Sequence, residues 1–277
     1  MVPKVRRRDV VISLAVLGAI AVFFVARSVL KGPAKADSAS ETTATATPQG
    51  TAVDAAPAIP APDTATLAAG PSEVSIQQST APAPVVDTPY VRELVREGSA
   101  GTYLRDLLSQ QDNLLMRWPD RRSNMRVFIE RDPGLADWNT KYPGVAEHAF
   151  DEWQEAGFPL RFDMVLERSD VDIHIKWIDR FPAEERQKLG MATKVRDQHG
   201  WLVSSEISIA THDSQGQALP PELVAGTARH EIGHALGLGH SGNASDVMYP
   251  ESRTPVISAA DRKTLRILYL LPPGRVP

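Results

Sequence analysis

One eleven-residue stretch, HEIGHALGLGH at 230–240, constrains the fold more than any other part of this 277-residue chain. His230 and His234 stand four apart, so on a helix their imidazoles project from one face about one turn apart. Gly237 is free to adopt a positive φ, which ends the helix and turns the chain. The turn brings His240 back toward the other two. Either this is a core helix broken by glycine that happens to carry polar side chains, or it is a metal site.

The spacing answers the question. Two ring nitrogens one turn apart can reach one zinc ion at about 2.0–2.1 Å, and His240 supplies a third. Three neutral imidazoles leave a fourth position for water, the arrangement of a catalytic rather than a structural zinc. Glu231, beside the first histidine, cannot share that ligand direction but can reach the water and take its proton as general base. A bare HExxH arises by accident on many helices; the added glycine and third histidine carry the metal reading.

Composition then sets the surroundings. Net charge is −4, which gives no reason to expect nucleic acid as a partner. The chain has no cysteine, which excludes disulfides, thiolate ligands and a cysteine nucleophile together. Residues 1–9 form a basic flank with Lys4, Arg6, Arg7 and Arg8. The uncharged run VVISLAVLGAIAVFFVA at 10–26 covers about 25 Å as a helix, the short end of a membrane span. Residues 10–30 therefore read as a signal anchor that ties the chain to a membrane through 10–26. The N-terminus is expected in the cytoplasm and the rest outside, periplasmic or extracellular. Cleavage near the small residues at 34–36 would instead release a secreted form.

Residues 31–89 read as a disordered linker. From 33 onward they hold nine prolines and fifteen alanines, no aromatic residue and one basic one, too little apolar surface to offset the entropy of ordering. As a flexible coil this stretch spans roughly 40 Å. Residues 90–118 suit short amphipathic helices broken at Gly98 and Gly101, a helical pre-domain segment. In 119–277, strands are expected at 125–130, 160–166, 171–177 and 204–210, the last at a sheet edge. Helices are expected at 142–157, from 220 to Gly237, and after Ser258, where Ser258 and Asp261 are spaced as a capping box. The mixed order of strands and helices gives an α+β fold, a small twisted sheet packed by two long helices.

HEIGHALGLGH followed by Ser241 resembles the metzincin zinc peptidases, and among them the matrixins, the matrix-metalloproteinase-like group. Met248 in DVMYP matches the methionine turn that underlies the zinc in that clan. ISAADRKTLRILY resembles the C-terminal helix, while YPGVAEHAFDEWQ, VDIHIKW and SSEISIA follow the matrixin order by pattern. The resemblance implies a zinc endopeptidase acting on a protein or peptide substrate, with one catalytic Zn2+ on His230, His234 and His240 and with Glu231 as base. Gly237 and Met248 support the site. The alternative is an inactive zinc-holding binding module, against which Glu231 stands. Without cysteine, a cysteine-switch propeptide is impossible. Asp106 and Asp112 are the carboxylates of the pre-domain segment that could replace the zinc water. A structural zinc or calcium has only scattered acceptors, Asp197, His199, His212 and Asp213, and no ligand-rich loop; His148 and His174 read as ordinary helix-face and sheet-face residues. Substrate is expected to pair with the 204–210 strand.

Overall fold

The computed structural model describes residues 67–69, 72–80, 83–84, 86–252 and 256–276. The basic flank, the signal anchor and most of the linker lie outside the described residues. Among the described residues no helix is long and apolar enough to cross a membrane. All of them belong to one unit, Pro60–Pro277.

In chain order the elements begin with two short strands, β1 (Leu67–Ala69) and β2 (Glu73–Gln77), and two helices, α1 (Thr88–Gly98) and α2 (Leu104–Gln110). Strand β3 (Leu114–Leu115) and strand β4 (Met125–Ile129) precede helix α3 (Tyr142–Gln154). Strands β5 (Phe162–Val165), β6 (Ile173–Ile178), β7 (Lys188–Asp197) and β8 (Leu202–Ala210) lead to helix α4 (Pro221–Ala235). Strand β9 (Glu251–Ser252), helix α5 (Ala259–Leu270) and strand β10 (Gly274–Arg275) complete it.

The architecture is α+β, as expected. The main sheet runs β5-β4-β6-β8-β7-β1-β9, with β2 also paired to β7. Period-two alternation decides which face is buried. Met125, Val127 and Ile129 on β4 and Ile173, Ile175 and Trp177 on β6 turn into the core. On α3 the buried stripe is Ala146, Ala149, Phe150 and Trp153, which packs against α4. Ser258 caps α5 by accepting from the Asp261 amide, while Asp261 accepts from the Ser258 amide, the reciprocal box its spacing predicts.

Two expectations are corrected, and one strand is new. Strand β8 is not at an edge: it pairs in parallel with β6 and antiparallel with β7, so both its backbone edges are used. The position beside it belongs to β7, a ten-residue strand that the hydrophobic pattern does not announce. The strand expected at 160–166 is shorter, and Leu166, just past the end of β5, is 76% exposed. The helices of the pre-domain segment pack into the rest of the unit. Leu104 and Leu107 are fully buried in the common core, and β3 pairs with β10 at the far end of the chain.

The linker also yields structure. Strand β1 pairs in parallel with β7 and antiparallel with β9, filling the space between them, and β2 continues along β7 from Thr193 to Asp197. An exposed strand edge offers a row of unpaired N–H and C=O groups, and this segment satisfies them without needing an apolar face. That is why composition misses it: all five β2 side chains are exposed.

Candidate metal centre

Helix α4 presents His230 and His234 one turn apart, as the spacing requires. Gly237 then takes φ +105°, and a Cβ there would lie 2.2 Å from the Met116 carbonyl oxygen, so both conformation and space call for glycine. The reversal carries His240 to the same point. The Nε2 atoms of His230 and His234 are 3.0 Å apart, and those of His234 and His240 3.2 Å. Tetrahedral bonds of about 2.0–2.1 Å would set such nitrogens about 3.3–3.4 Å apart, so this donor set fits a zinc-sized ion. Among the described residues these three form the one group of histidines and acids close enough to hold a metal.

The ring orientations are fixed from behind. His230 donates from Nδ1 to the Val247 carbonyl at 2.6 Å, and His234 from Nδ1 to the Leu238 carbonyl at 2.9 Å. Each bond assigns the proton to Nδ1 and leaves an Nε2 lone pair facing the shared centre. Burial pushes all three imidazoles down, His230 to about 3, His240 to about 4 and His234 well below its ordinary value, so they are neutral and able to ligate.

Glu231 is fully buried; no side chain hydrogen-bonds its carboxylate, and the Ala192 amide of β7 is the one backbone donor turned toward it. Burial raises its carboxyl to about 8, against the pull of the Lys194 ammonium, which burial itself lowers to about 8. These directions describe the metal-free pocket; a dication beside Glu231 favours the carboxylate. A buried carboxylate with so few partners costs stability. Here it follows His230 directly on the helix that carries two of the three imidazoles and faces Gly190 of β7.

Met248 lies beneath the ligands. A Cβ on Gly233, between the two helical histidines, would be 2.3 Å from its sulfur. Its turn is pinned by the buried Asp261, which accepts from the amides of Val247 (2.9 Å) and Met248 (3.4 Å) and from the Tyr103 hydroxyl (3.1 Å). The Ser241 amide donates to the Met248 carbonyl at 2.8 Å, tying the third-histidine segment to the same turn.

The Matrixin family model (peptidase M10) matches residues 124–270, more than half of the 277. The chain belongs to the matrixin family. Two relatives carry local similarity. Human matrix metalloproteinase-26 is 51% identical over 47 residues, covering 15% of this chain and 18% of that protein. Metalloendoproteinase 1-MMP of Arabidopsis thaliana is 32% identical over 117 residues, covering 39% and 31%. The chain thus spans no more than about a third of either relative's length.

In this matrixin the remaining sequence candidates stand elsewhere. Asp106 and Asp112 are exposed and outside the three-histidine group. Asp197 accepts the amides of His199 and Trp201 in a turn, and Asp213 accepts those of Gln215 and Gln217. His212 pairs with Asp179 at 2.9 Å. His174 sits between Glu130 and Glu206 on the outer sheet face, and His148 is an exposed helix residue. Sequence reasoning misses the matrixin site's other walls. Gly190 of β7 presses on Glu231, Lys194 follows on the same face, and Gln110 of α2 reaches the His240 backbone. No local motif marks them, because each acts across a long sequence separation.

Proposed function

We propose that this matrixin is a zinc-dependent endopeptidase, with His230, His234 and His240 as the metal ligands and Glu231 as general base. The observation that carries the reading is the convergence of three neutral Nε2 donors, with the buried Glu231 carboxylate on the same helix next to His230 and bonded by no side chain. Zinc bound there supplies a Lewis acid for the peptide carbonyl and acidifies a water. Glu231 takes a proton from that water and returns it to the leaving amine, a role its burial and lack of a side-chain hydrogen bond support. Burial also excludes bulk water, which strengthens each of these interactions.

The substrate class is protein or peptide. An extended peptide fits along the outer edge of β7, between it and β9, by strand addition. In this structure β1 holds that place, with Ala69 in register with Gly190, the residue that packs on Glu231. Attachment to a membrane through residues 10–26, with the domain outside, rests on the charge bias and apolar run of the sequence. Protease shaving of intact cells that left the domain untouched would reverse it.

The chemistry is tested with Glu231→Gln. The variant should keep about one zinc per chain and its fold while losing peptide hydrolysis by about 10²–10⁴-fold. A variant that cleaves within tenfold of the parent removes Glu231 from the reaction. Zinc retained in full by His230→Ala, His234→Ala and His240→Ala removes the metal assignment.

A further inference from the structure

The three histidines are not held alike. His230 and His234 each have the distal ring nitrogen tied to a backbone carbonyl, whereas no described residue bonds Nδ1 of His240. His240 is also the least buried of the three and lies on the irregular stretch after the helix. A ligand with a loose ring on a turn needs some other restraint.

Its main chain supplies one. The His240 amide donates to Gln110 Oε1 at 2.8 Å, and Gln110 Nε2 donates to the His240 carbonyl at 2.8 Å. Only one orientation of the carboxamide satisfies both bonds, so the side chain and the peptide lock each other. Gln110 ends α2, whose Leu104 and Leu107 are fully buried, so the clamp stands on a fixed base. Approach is close: a Cβ on Gly239 would lie 2.8 Å from Gln110 Oε1 and 3.5 Å from Leu107 Cα. Helix α2 precedes the stretch matched by the family model.

We propose that Gln110 is a positioning residue for the third metal ligand, holding His240 through its backbone as the carbonyls of Val247 and Leu238 hold the other two rings. The proposal rests on the zinc-endopeptidase reading of the site. Partners that orient metal ligands typically contribute 10–100-fold in affinity, and that is the loss expected when both bonds go.

The test uses the full chain loaded with zinc and titrated against a chromogenic chelator, beside the cobalt-substituted protein followed by its visible spectrum. Gln110→Ala removes the clamp. Gln110→Met removes both bonds while keeping side-chain length, and so covers the case in which the alanine variant packs poorly. Gln110→Glu keeps the acceptor but sets a carboxylate against the His240 carbonyl. All three should bind zinc about 10–100-fold more weakly and alter the cobalt spectrum, with the metal-free melting temperature little changed. Ser109→Ala, an exposed neighbour, should match the parent. Zinc affinity within twofold of the parent and an unchanged cobalt spectrum in Gln110→Met would overturn the proposal alone. A parent chain that takes up no zinc would overturn both it and the reading on which it rests.

Discussion

Gly190→Ala isolates the contact between β7 and the proposed base. Gly190 has no positive φ to protect, so the substitution carries no backbone strain and acts through space alone. The added Cβ would lie 2.6 Å from Glu231 Cγ, 2.6 Å from Glu231 Oε1 and 2.6 Å from Thr227 Cγ2, where ordinary contacts begin at 3.4 Å. Relief requires a shift of roughly 0.8 Å in either the strand or the glutamate. Overpacking of this kind costs about 1–3 kcal/mol. At about 2–4 °C per kcal/mol for a domain of this size, the melting temperature should fall by about 2–12 °C. Displacing a catalytic group by about 1 Å costs about 10²-fold in rate. Neither histidine nitrogen is among the atoms struck, so zinc content should hold. The assay is kcat/KM on an internally quenched peptide, with zinc stoichiometry and thermal denaturation on the same preparation. A variant within threefold of the parent in kcat/KM and unchanged in melting temperature would refute the claim that Gly190 fixes Glu231.

Two further outcomes can be checked directly. Burial holds the histidine values down, to about 3 for His230 and about 4 for His240, so protons compete poorly for the ligand nitrogens. Zinc should stay bound as pH falls through the ordinary histidine range near 6.5 and leave only below about 5, as read by dialysis and metal analysis; release centred at 6.5 would contradict the burial argument. Replacing Ala68 and Ala69 of β1 by proline removes backbone donors from the strand that holds the place between β7 and β9. Two lost hydrogen bonds at about 1 kcal/mol each should lower the apparent KM for a peptide by up to about 30-fold with kcat unchanged. An unaltered KM would mean that the peptide does not use this edge.

The site is far more legible in the sequence than the sheet that frames it. His230, Glu231, His234, Gly237 and His240 lie within eleven residues, and their geometry follows from helix pitch and one glycine, so local chemistry is enough. Strand β7 is not legible because its buried face is Gly190, Ala192 and Lys194, while Met191 and Val195 point to the half-exposed side. Hydrophobic alternation therefore marks the wrong face. The serines of β8 suggest an edge, yet Ser205 and Ser208 are buried, and Ser205 Oγ donates to the Thr193 carbonyl at 3.0 Å. The β1–β2 segment sits in alanine- and proline-rich sequence and owes its order to a neighbour's open edge. The spacing of Asp261 announces a cap only; its bonds to Val247 and Met248 exist because tertiary packing brings the start of α5 under the methionine turn.

The pairing of β3 with β10 sets the order in which this domain can assemble. Leu114 and Leu115 meet Arg275 and Gly274, Tyr103 reaches Thr264 and Asp261, and the Trp118 indole donates to the Ala235 carbonyl that closes α4. Partners more than a hundred residues apart must wait for one another, and such non-local closure is slow to form. As the chain emerges, residues 103–118 have no place to settle until α4, α5 and the last few residues have been made. A chain cut to begin at 119 would keep every histidine yet lose the tryptophan against the helix end, the small β3–β10 sheet and the base beneath residue 240. The folding unit is therefore larger than the stretch that carries the family's signature.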